Sequence, residues 1–216
     1  MTEHKETARG TEYLLSGDYE NAMACYLAAS ADGDYFAMYN IACMYYFGDG
    51  VEKSPETAFS WYEKAAAHGD PEARNRVGVM YEQGIGVAEN PEAAFENYKK
   101  SAEMGSLSGM ANLASCYLEG KGTEADKEAG ISWLSKASEK GNGIASLTLG
   151  EYYLSGKYVE ECPQKAAECF ARGMKQKYAP AIRRLADLYE SGCGVPKDPE
   201  QAKCLRAIAD ETPDED

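Results

Sequence analysis

The chain repeats itself at a fixed interval. From Tyr45, steps of 36 residues land on Tyr81, Tyr117, Tyr153 and Tyr189, and from Gly48 they land on Gly84, Gly120, Gly156 and Gly192. Ala37 leads to Ala73, Gly109, Ala145 and Ala181, and Ala42 leads to Gly78, Ala114, Gly150 and Ala186. The register holds without slippage through five copies, residues 33–68, 69–104, 105–140, 141–176 and 177–210. A unit this short cannot bury its apolar face alone, so stacked copies must share one continuous core.

Each copy reads as two antiparallel helices. In copy one the first helix carries Ala37, Ile41, Ala42 and Tyr45 at helical spacing. It ends at Gly48, a residue type that readily takes the left-handed conformation of a helix C-terminus. The second helix has a recurring start: Ser54-Pro55-Glu56, Asn90-Pro91-Glu92 and Asp198-Pro199-Glu200 each place a capping oxygen before proline and an acid in the first turn. Asp126 keeps the cap without the proline, whereas copy four has Cys162 there, which predicts a weaker helix start. Ala58, Trp61, Tyr62, Ala65 and Ala66 then form one apolar stripe. The small residues at Ala42 and Ala58, and at their equivalents, let the two backbones approach closely.

Residues 1–32 read as a leading cap pair. Ala22, Cys25, Tyr26 and Ala29 stand 36 residues ahead of Ala58, Trp61, Tyr62 and Ala65, and "LLSGDYENA" replaces the longer loop with a tight one. Residues 211–216 are an acidic tail. The loop itself, Gly-x-Gly-Val, raises the question of phosphate binding. A phosphate loop needs a strand before it and a lysine plus hydroxyl after it. No strand pattern precedes Gly50 and Val51 and no Gly-Lys-Ser/Thr run follows them, so the glycines are expected to turn the chain and the valine to fill the space beneath it.

The tyrosine, the Gly-x-Gly-Val loop, the capped start and "AFSWYEKAAAHG" at this period resemble the Sel1-like repeat family, relatives of the tetratricopeptide solenoids. The resemblance covers nearly the whole chain. It implies an all-α fold, an α/α solenoid forming a right-handed superhelix, and a non-enzymatic adaptor that holds a protein or peptide on its concave face. A cysteine-rich bacterial subgroup is linked to penicillin binding or weak β-lactamase activity. The present cysteines do not recur in each copy, and no Ser-x-x-Lys or Lys-Thr-Gly occurs.

In such solenoids the first helices line the concave surface. Counting from the tetratricopeptide pattern gives Phe36, Tyr39, Cys43 and Tyr46, then Glu72, Asn75, Val79 and Glu82. Ser108, Ala111, Ser115 and Leu118 follow, then Ile144, Leu147, Glu151 and Leu154, then Pro180, Arg183, Asp187 and Glu190. Tyr39 and Tyr46 are the anchor candidates, with packing against the cap as the alternative. The carboxylates make the face acidic, which suits a basic segment with an apolar anchor.

A formal net charge of −14 disfavours nucleic acid and anionic membranes as partners. No stretch has the length or apolarity of a secretory core or a membrane span, so the expectation is a cytoplasmic protein that does not insert into membranes. The seven cysteines include no Cys-x-x-Cys pair, which argues against a disulfide framework and a zinc site; Cys193 is expected to be reachable by solvent. The only histidines, His4 and His68, lack partners at catalytic spacing, so no catalytic residue, metal or cofactor is assigned. Two other readings stay open: a secreted or periplasmic Sel1 protein with cell-wall or β-lactam-related activity, and a structural subunit of a larger complex.

Overall fold

The computed structural model describes residues 5–212; His4 and the end of the acidic tail, residues 213–216, lie outside the described residues. Among the described residues there are twelve helices and no strand. They are α1 (Lys5–Leu15), α2 (Tyr19–Ala31), α3 (Tyr35–Phe47), α4 (Pro55–Ala67), α5 (Pro71–Gln83) and α6 (Pro91–Glu103), followed by α7 (Leu107–Glu119), α8 (Lys127–Glu139), α9 (Gly143–Ser155), α10 (Pro163–Lys175), α11 (Ala179–Ser191) and α12 (Pro199–Glu211). Consecutive helices pack as antiparallel pairs. The chain forms two compact units, residues 1–109 and 110–216, with the boundary inside α7.

The helix ends follow from their residues. Gly48 closes α3 in the left-handed region at φ 87°, and its N–H donates to the Met44 carbonyl. At the second-helix starts, Ser54 accepts from the Thr57 N–H at 3.2 Å, Asn90 from Ala93 at 3.0 Å, Asp126 from Ala129 at 2.9 Å and Asp198 from Gln201 at 2.9 Å. Cys162 makes no such bond at the start of α10, as its side chain predicts. Cys162→Asp should therefore raise stability by about 1 kcal/mol, roughly 2–4 °C in Tm, measured by thermal unfolding followed by circular dichroism.

The first helices carry caps that the sequence reading passed over. Asp34 accepts from the Phe36 N–H at 2.9 Å and also receives the Thr7 hydroxyl at 2.6 Å. Asp70 accepts from Glu72 at 2.9 Å, and Asn142 from Ala145 at 2.8 Å. Tyr178 occupies the same position before α11 but makes no cap bond; it lies on Gly143, where a Cβ would come within 2.6 Å of its own Cβ.

In several pairs a ring of the second helix lies on a small residue of the first, and the equivalent of that ring is Leu134 in α8 and Arg206 in α12. A Cβ on Gly78 would come within 2.7 Å of the Tyr98 ring, and one on Gly150 would overlap the ring of Phe170. The leading pair repeats this contact with Gly10 under Tyr26, at 2.7 Å. Tyr26 precedes Tyr62 by the full period, whereas Gly10 precedes Ala42 by four residues less. The cap pair is thus an ordinary pair whose loop is four residues shorter.

The Gly-x-Gly-Val loops join the two helices of each pair. Val51, Val87 and Val195 are half-buried against the apolar clusters, as expected for plugs beneath the turn. The second glycine has a further task. Gly86, at φ 68°, sits so close to the Pro55 carbonyl that a Cβ would collide with it, and Gly194 meets the Pro163 carbonyl in the same way. Each of these loops therefore rests on the start of the preceding pair's second helix. In copy four Tyr158 occupies this position at φ 69°, a conformation that costs a non-glycine residue energy.

Candidate protein-binding face

The expected lining residues divide by helix geometry. The outward crest of α3 runs through Phe36, Asn40, Cys43 and Phe47, the i, i+4, i+7, i+11 stripe, with Phe36 and Phe47 exposed by 49% and 64%. The stripe counted from sequence lies about 50° to one side of this crest, given 100° per residue. Tyr39 and Tyr46 consequently sit on a packing flank and are half-buried. Tyr39 meets Tyr62 edge to face at 5.3 Å, and Tyr46 meets Phe47 at 5.1 Å.

Two expected lining residues are buried and must be removed from the face. Asn75 is 5% exposed, on the same flank as Tyr39. Leu118 is 6% exposed because it folds over Gly130, where a Cβ would come within 2.6 Å of Leu118 Cγ. Leu147 and Leu154 are half-buried against the α10–α12 core cluster, leaving Ile144 exposed beside them. Val79 and Ser115 are half-buried, and Arg183 and Asp187 are exposed.

The face is also less acidic than its composition implies. In unit 2, Arg184 grips Glu151 with two parallel bonds, Nε to Oε1 and Nη2 to Oε2 at 3.0 Å, and reaches Asp187 at 3.4 Å. Arg206 of α12 adds bonds to Asp187 at 3.3 Å and Glu190 at 3.2 Å, and Arg183 approaches Asp210 at 3.9 Å. In unit 1, Glu82 accepts from the Tyr98 hydroxyl at 2.7 Å. Exposed pairs like these contribute little stability each. Their consequence is electrostatic: Glu151, Asp187 and Glu190 already have cations, so the expected attraction of a basic segment is weakened there.

Unit 1 holds an arginine that sequence reasoning missed. Arg76, exposed on α5, donates from Nε to the Tyr39 hydroxyl at 3.3 Å. Beside it the Cys43 thiol and the Tyr62 hydroxyl lie 3.2 Å apart. Burial raises the pKa of Tyr62 and Cys43 above the ordinary values, so both stay protonated near neutrality. The period itself could have found Arg76, because it aligns with Arg184 three copies later.

The family profile described as Sel1 repeat matches residues 8–34, 36–70, 71–106, 107–142, 145–177 and 179–203. The chain belongs to the Sel1 repeat family. Its first matched Sel1 repeat falls on the shortened leading pair, and the others start two to four residues after the expected boundaries. No curated protein sequence matches the chain. Among solved structures, a protective antigen of uropathogenic Escherichia coli strains with an SLR fold is similar at 29% identity and a TM-score of 0.83 over 97% of this chain; that match spans 46% of the antigen, so the present chain covers about half of its length. A Sel1 repeat protein from Oxalobacter formigenes is similar at 29% identity and TM-score 0.80, over 96% of this chain and 85% of that one. An immunity protein from Pseudomonas aeruginosa shares the fold at 22% identity and TM-score 0.65, over 94% of this chain and 82% of its own.

His68 is the C-terminal cap residue of α4, its Nδ1 2.9 Å from the Lys64 carbonyl, as its place in the sequence predicts. Burial pushes the Cys169 thiol up to about 11. Cys193 is exposed as expected, and so is Cys204. A depression in unit 2 is lined by Lys127, Ile131, Ser135, Lys136, Glu139 and Val159, and in it the Ser135 hydroxyl donates to the Glu139 carboxylate at 3.5 Å, a long solvent-exposed contact one turn apart on α8. No group of three or more potential ligands could hold a metal, and no helix is long and apolar enough to cross a membrane, among the described residues.

Proposed function

We propose that this Sel1 repeat protein is a non-enzymatic scaffold that holds a peptide or protein segment on the face of its first helices. The supporting observation is the exposed aromatic crest of α3. Phe36 and Phe47 leave 49% and 64% of their surface in solvent, although a residue that serves only repeat packing would be covered. Large rigid side chains exposed in this way are the ones that dominate binding at protein interfaces.

The test is peptide-display selection on the full chain, run in parallel on wild type and on Phe36→Ser/Phe47→Ser with equal helicity confirmed by circular dichroism. Enrichment by wild type and its loss in the variant is the expected result. Equal enrichment by both would move the binding surface elsewhere. A cytoplasmic, reducing setting belongs to this reading, supported by seven cysteines that no disulfide joins. Alkylation of protein isolated from its source cells should label all seven after denaturation without reductant. Recovery of paired cysteines would favour the secreted alternative.

A further inference from the structure

Arg76 and Arg184 occupy the same place in the repeat, and the molecule itself demonstrates what such an arginine holds. Arg184 reaches back across one pair and takes the Glu151 carboxylate side-on with Nε and Nη2, with Asp187 on its own helix meeting Nη1 to complete the seat. Stepping three periods back places Cys43 where Glu151 stands and Val79 where Asp187 stands. Arg76 likewise reaches back to the preceding first helix, where its Nε donates to the Tyr39 hydroxyl, but both carboxylates of the seat are missing. Glu72, one turn earlier on α5, makes no ion pair with it. Arg76 is exposed on α5 near α3, and an exposed guanidinium beside an apolar crest is a recognition element for a planar anion.

We propose that the first-helix face of unit 1 takes a peptide segment in which an Asp or Glu side chain seats on Arg76 and a neighbouring apolar residue lies on the Phe36 crest. This rests on the protein-binding reading and names its partner by chemistry: an acidic-apolar segment instead of a basic one. The ligand carboxylate replaces the internal one that unit 2 supplies from Glu151. The contact is a fork of charge-assisted hydrogen bonds, so replacing the carboxylate by an amide loses about tenfold in affinity. Added salt reduces that preference.

The probes are fluorescein-labelled, C-terminally amidated peptides with a central Phe-Glu-Leu in a Gly-Ser background, together with matched Gln and Lys versions and a Gln version with a free C-terminus. Fluorescence anisotropy with the full chain should rank Glu above Gln by about tenfold and Lys lowest. Arg76→Gln should erase the Glu preference. Cys43→Glu, which recreates the internal pair, should erase it with the arginine still present; Val79→Asp does the same from the other side of the seat should the half-buried Cys43 position not accept glutamate. Glu72→Gln should strengthen Glu binding.

Equal binding of Glu and Gln peptides, with both lost in Phe36→Ser/Phe47→Ser, would overturn the carboxylate seat and leave the binding face intact. No binding of any probe together with no display enrichment would remove both readings. Preference for Lys, or for the free C-terminus alone, would overturn the proposal in favour of a basic segment or a terminal carboxylate.

Discussion

Gly86→Val is expected to cost about 3–5 kcal/mol, seen as a fall in the urea midpoint with little change in slope. Two physical effects add. Valine is strained at φ 68°, and its Cβ would collide with the Pro55 carbonyl, a backbone group at the start of α4 that cannot rotate away. Gly84→Ala isolates the first effect. That glycine has φ 65° but its nearest neighbour to a Cβ is Glu89 at 3.5 Å, an ordinary contact, so the substitution should cost only about 1 kcal/mol. Equal losses at the two sites would show that the loop is not seated tightly on α4.

Phe170→Ala should be comparably damaging, about 3–5 kcal/mol, because Phe170 is fully buried at the centre of the α10–α12 cluster. The loss should be coupled to Gly150. In the native protein a Cβ on Gly150 overlaps the Phe170 ring, so Gly150→Ala is destabilising by about 1–3 kcal/mol; without the ring the added methyl fills part of the cavity and becomes neutral or favourable. A double-mutant cycle read by urea unfolding would measure this. Because repeat arrays can unfold in parts, amide exchange in α9 and α10 should report the loss even where the global transition broadens.

Local chemistry explains which features were readable beforehand. Gly48, Ser54 and the non-capping Cys162 act within a few residues of themselves, and the structure places each as its type requires. The binding face depended on side-chain direction across helices. Leu118 is buried because Gly130, the one glycine at its position in the second helices, opens a pocket that alanine closes in the other copies. The neutralised carboxylates were missed because Glu151 and Arg184 are 33 residues apart, which is no local spacing. It is one period less three residues, so the period could have revealed it.

The resting of Gly86 on Pro55 and of Gly194 on Pro163 has a consequence for anyone cutting or splicing the array. A helix pair excised at the obvious boundary leaves with its second helix uncovered, because its lid is encoded in the next copy. The portable module is accordingly offset: a pair together with the next first helix and the loop that closes that helix. A graft or consensus array designed in that frame keeps each lid on its seat, whereas one cut between pairs must rebuild a surface that the original protein never exposed.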